Sequence, residues 1–275
     1  MDAVVTKMEE TLERKKSIVH IVERRTTSID YIRRIHEAAY YPNQSALHWM
    51  NVATIQRLDF ERSVEIQKRL LPWFSLGLSL APLLSTEKGP ALVRALVQLM
   101  EEYDYHYEMG SAMQGVKVLL SKKQPVYTTV SENEHIKSKI TKIGNTVVYE
   151  FLKIFNISMA KDLDYFHVVF SLLEILELIY KKFDKETCSS KYVYEAIVKV
   201  DKRFKQQIFG FLSKEIDKIA TQSIREQLEF TLLCTSTKDR DIQQHQQMQS
   251  KLSNSLSSNS KEINTTGSGS TSSDD

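Results

Sequence analysis

Residues 162–183 read DLDYFHVVFSLLEILELIYKKF. Phe, Val, Leu and Ile are so dense here that a helix over Asp162 to Phe183 has to lie near the centre of the fold. Glu174 and Glu177 interrupt it. In a helix buried all round, both carboxylates would need partners or raised pKa values, and perturbed acids mark functional sites. His167 stands seven residues before Glu174, two helical turns away on the same face. The plainer reading makes the two acids the solvent edge of the helix.

Outward from this stretch the helical period continues. Downstream, Phe204, Ile208, Phe211, Leu212, Ile216 and Ile219 predict helix from Ser190 onward, although Tyr192-Val193-Tyr194 and Val198-Lys199-Val200 also suit a strand. A last helix is expected over Ser223 to Cys234. Upstream, Ile136, Ile140, Ile143, Val147, Phe151 and Ile154 form another helical stripe. Lys122 to Asn133, with Pro125 followed by Val126-Tyr127-Thr128-Thr129-Val130, is the clearest internal loop. It is also the natural boundary between two sub-bundles, 1–122 and 133–235.

Toward the N-terminus, Gly89 then Pro90 is helix-start chemistry, because proline at the first helical position forfeits no bonded N–H. The helix from Ala91 carries Leu92, Leu96, Leu99, Met100 and Tyr103, and its period extends past Gly110 and Gly115 toward Leu120. Ala46 to Leu71 predicts a helix that stops at Pro72. Residues 3–38 hold no Gly or Pro and predict one long amphipathic helix, ended by Tyr41-Pro42-Asn43-Gln44-Ser45. Val5, Met8, Leu12, Val19 and Val22 follow three- and four-residue steps, and Lys15 breaks the seam. Such a helix docks on the body rather than standing as a free coiled coil.

Near residue 235 the composition changes. Residues 236–275 are Ser, Asn, Gln, Thr and Gly in the main, with too little apolar surface to offset ordering, so a disordered tail is expected. The chain therefore reads as an all-α bundle of seven or eight helices, body 1–235, with a low-complexity tail.

Hydrophobic content of 41% and charged content of 26% are those of a globular protein, and the net charge of +2 makes no field for nucleic acid. Cys188 and Cys234 belong to no Cys-x-x-Cys pair and suit a reducing compartment. The start of the chain lacks a secretory pattern, so a cytoplasmic location is expected. The run LLPWFSLGLSLAPLL, Leu70 to Leu84, is too short to cross a bilayer and is cut by Pro72 and Pro82. It reads as a buried short helix, or as a membrane wedge or partner-binding hairpin exposing Trp73 and Phe74.

Nucleophile elbows, phosphate loops and complete metal-ligand sets are missing. Glu102 and His106 are one turn apart, but a lone Glu-x-x-His at Glu132 to His135 falls short of a di-metal bundle. No metal or other cofactor is expected. Basic pairs recur along the first helix, and Lys7, Arg14 and Arg25 share one flank, a surface for lipid or an acidic partner, although Glu9, Glu10 and Glu13 balance it. In the segment Tyr103-Asp104-Tyr105-His106-Tyr107, Tyr103 and Tyr107 share a face and Tyr105 points elsewhere, which marks Tyr105 as an exposed anchor. The expected function is a non-enzymatic cytosolic adaptor or scaffold binding another protein through Tyr105, Trp73, Phe74, Arg14 and Arg25. A membrane-peripheral module and an enzyme with a dispersed site are the alternatives.

Overall fold

The computed structural model describes residues 2–41, 48–50, 52–108, 135–144, 146–155, 163–183 and 190–262. Seven α-helices are present among them: α1 (Asp2–Tyr40), α2 (Arg57–Arg62), α3 (Val64–Leu80), α4 (Pro90–Tyr103), α5 (Tyr165–Lys181), α6 (Lys191–Phe204) and α7 (Gly210–Glu262). The fold is all-α, with one small hairpin of β1 (Thr141–Ile143) and β2 (Thr146–Val148). The chain divides into two compact units, Met1–Ala220 and Thr221–Asp275. The Pro125 loop, the glycines at 110 and 115, Cys188 and the last 13 residues lie outside the described residues.

In the first unit α5 is central, as its composition requires. It packs against α1 on one side and α3 on the other, while α4 packs on α6. Phe166, Leu173, Leu176 and Ile179 have no exposed surface, and Phe170 is half-buried. Asp164 caps the helix by accepting the His167 backbone N–H at 2.9 Å. The two acids of this helix lie toward solvent: Glu174 is exposed, and Glu177 pairs with Arg33 of α1 and Lys181.

Helix α1 docks by a different seam from the one its valines suggest. Ile18, Ile21, Arg25, Ile29, Ile32, Ile35 and His36 are buried, whereas Val5, Met8 and Leu12 are more than half exposed. The isoleucine stripe begins only at residue 18, and there the polar Arg25 and His36 sit in core positions because each is bonded. Arg25 donates twice to Asp201 of α6, at 2.6 and 3.0 Å, and Tyr180 donates to the same carboxylate at 2.8 Å. His36 donates from Nδ1 to the Ile32 carbonyl at 2.7 Å and accepts from the Tyr165 hydroxyl at 2.8 Å. Full burial favours the neutral imidazole and lowers its pKa to about 4.

Several elements differ from expectation. The helix predicted over Ala46 to Leu71 begins only at Arg57 and breaks at Ser63, whose side chain accepts the Ile66 N–H and starts α3 afresh. Helix α3 then runs through Pro72 instead of stopping, since Leu70, Trp73, Leu76 and Leu80 are all buried by continuing. The stripe from Ile136 to Ile154 is no helix. Gly144-Asn145 between β-branched runs is hairpin chemistry, and Gly144 takes φ 60° at the turn. Helix α7 continues to Glu262, past the expected end at Cys234, and from Thr221 onward none of its described side chains is buried.

Candidate functional site

Between α3 and α5 lies a cavity of about 300 Å³, lined by Trp73, Phe74, Gly77, Leu78 and Ala81 from one side and Leu163, Val168, Leu172 and Ile175 from the other. Gly77 contributes no side chain to this lining. A Cβ there would meet Leu172 Cδ1 at 3.9 Å and Ile175 Cδ1 at 4.0 Å, so the two helices are in contact range without a side chain to fill the gap. The lining is therefore apolar. Its polar members, Asp164, His167 and Ser171, belong to the first two turns of α5 or the cap before it.

Those polar groups are largely engaged with one another. The His167 ring lies 2.8 Å from Asp164 Oδ1, and Arg57 stands 3.4 Å from the other oxygen. Partial burial disfavours the Asp164 carboxylate, but the bonds from His167 and the Arg57 charge outweigh it, holding its carboxyl below the ordinary value. Arg57 also lies over the Tyr40 ring at 4.8 Å. Ser171 and His167 are exposed. Farther along the same outer stripe of α5 come Glu174 and Leu178, the latter 42% exposed. Chemically, this arrangement can hold an apolar group and offer hydrogen bonds or charge along one edge. Among the described residues no cluster of His, Cys, Asp and Glu is arranged to hold a metal ion.

The residues nominated for binding fall mostly inside. Tyr105 is only 5% exposed. Tyr149 lies near enough to interact with it electrostatically, and residues 135–144 and 146–155 bond to α3 and α4 in a way that the periodicity of α4 does not announce. Gln98 donates to the Lys139 carbonyl at 2.7 Å and accepts its N–H at 2.8 Å. Glu102 accepts three successive backbone N–H groups, from Glu150, Phe151 and Leu152, at 2.8, 3.0 and 2.8 Å. Ser75 and Ser79 of α3 hold Lys153 by its carbonyl and N–H, each at 2.8 Å. Glu102 is thus a buried clamp, neither a solvated acid nor a partner of His106, whose ring meets the Tyr149 hydroxyl. Gln98 and Glu102 at core positions of an apolar helix were the readable signal, because buried polar groups are bonded.

Trp73 has no exposed surface, and its indole N–H donates to the Gln207 carbonyl at 3.3 Å. Arg25 is buried in its bond to Asp201, and Arg14 is half-buried, donating to Thr11 at 2.8 Å. Trp73 and Arg25 thus hold elements of the fold together, whereas the bonds of Arg14 stay within α1. Of the five, Trp73 and Phe74 line the cavity, and Phe74 is half-buried. No helix among the described residues is long and apolar enough to cross a membrane. No family model, curated protein or solved structure matches this chain.

Proposed function

We propose that the chain is a non-enzymatic, cytoplasmic helical adaptor that receives a bulky apolar side chain of a partner protein in the cavity between α3 and α5. The observation that carries this reading is the open apolar space beside Phe74, Leu78 and Ile175, with its polar groups confined to one edge. A volume of about 300 Å³ is at the low end for a small-molecule site and suits an aromatic or aliphatic anchor. The exposed stripe of Ser171, Glu174 and Leu178 extends the surface along α5, as a helix lying in a groove requires. Glu174, exposed on that stripe, favours a partner with a basic residue beside its anchor.

Ser171→Trp tests this reading, because Ser171 is exposed and the indole would occupy the mouth from outside. Affinity purification from the native cell should recover a partner with the wild-type chain and lose it with the variant, at unchanged melting temperature. Equal recovery by both proteins contradicts the proposal.

A further inference from the structure

In the second unit, the helix from Thr221 to Thr235 carries a row of apolar side chains. Leu228 is 60% exposed, Leu232 is 68% exposed, and Ile224 is half-buried. These three residues are spaced by four. At about 100° per residue they form a ridge that drifts by about 40° at each step. Ridges of this kind pack into their own kind, with two helices crossing at about 50°. Arg225 and Glu229 flank the ridge on one side, both exposed, and neither is bonded to another described residue.

We infer that this surface binds a second copy of itself, antiparallel, with the two-fold axis at Leu228. In that register Leu228 meets Leu228 of the other copy, and Ile224 meets Leu232. Each Arg225 then lies beside the other copy's Glu229, and the two pairs share one flank of the interface. In a parallel pair the two-fold would carry this flank to the opposite side of the interface, and Arg225 and Glu229 would meet neither of their counterparts. The charge pattern therefore selects the antiparallel two-fold, an interface in which one patch is its own complement. Phe230 and Leu233 lie on the other side of the helix and are not part of it. This surface is separate from the α3–α5 cavity, and neither proposal rests on the other.

Sedimentation velocity of the purified full chain over a dilution series reads the association. The wild-type protein should form a concentration-dependent dimer, and Leu228→Asp should remain monomeric with unchanged helical content. Arg225→Glu and Glu229→Arg should each weaken the dimer about tenfold, by setting like charges face to face. Mixing these two variants should restore association, because each then supplies the charge the other lacks. That rescue occurs only between chains, so it separates pairing across the interface from effects within one helix. A wild-type chain that stays monomeric at every concentration overturns the inference. So do single variants that associate like wild type, or a mixture that associates no better than its components.

Discussion

Leu212, Ile216 and Ala220 share one continuous helix with Leu228, Phe230 and Leu232, yet the first three are at most 5% exposed and the second three at least 60%. The sequence is apolar at both places. What differs is company: the first three belong to the unit formed by Met1–Ala220, where they are buried, and the second three to the unit that begins at Thr221. Apolar periodicity thus reports that a helix face wants cover, and says nothing of whether the same chain supplies it.

If the first unit draws its stability from satisfied buried groups and the second does not, substitutions should divide sharply between them. The largest effect is expected at Glu102. Its replacement by alanine leaves the N–H groups of Glu150, Phe151 and Leu152 without their acceptor, at a cost of about 4 kcal/mol in urea denaturation. A loss under about 1 kcal/mol would mean that the 135–155 segment is dispensable to the body.

Acid should act next, through His36. Its folded pKa is lowered to about 4 from 6.5, so the unfolded chain binds the extra proton between those values. The contribution is complete above pH 6.5 and is lost as pH falls toward 4, a total of about 3 kcal/mol. Denaturation midpoints across this range should fall, and His36→Gln should flatten that part of the profile. An unchanged slope in the variant would assign the acid sensitivity elsewhere.

At Gly210 the effect should be smaller. The π turn over Lys205–Phe209 brings the Lys205 carbonyl to 2.9 Å from where a Cβ on residue 210 would lie. Gly210→Ala should therefore cost about 2 kcal/mol by forcing the turn to shift. A neutral outcome would show that the turn relaxes freely. Least of all, deletion of residues 241–275 should leave the melting temperature of the body within about a degree. A drop of several degrees would erase the distinction between the two regions.

Much of the architecture was legible because it depends on local chemistry. Gly89 and Pro90 start α4 with Gly89 at φ 121°, and the density of α5 placed it at the centre. The misreadings occurred where a tertiary partner overrides the local signal. Pro72 lies within a helix because the residues around it are buried, and Glu102 is a core residue because a segment more than 30 residues later bonds to it. The cavity was the least visible feature. It forms where Gly77 comes opposite Leu172 and Ile175, nearly a hundred residues away, and no spacing within either helix encodes that encounter.

The central claim is that a partner lies over the mouth of this cavity. A photoreactive phenylalanine analogue at Ser171, compared with the same group at Lys199 on the exposed face of α6, tests it within the native cell. Irradiation should produce a discrete adduct with a second protein from position 171 and none from position 199. Adducts from 199 alone, or the same adducts from both positions, would contradict the claim.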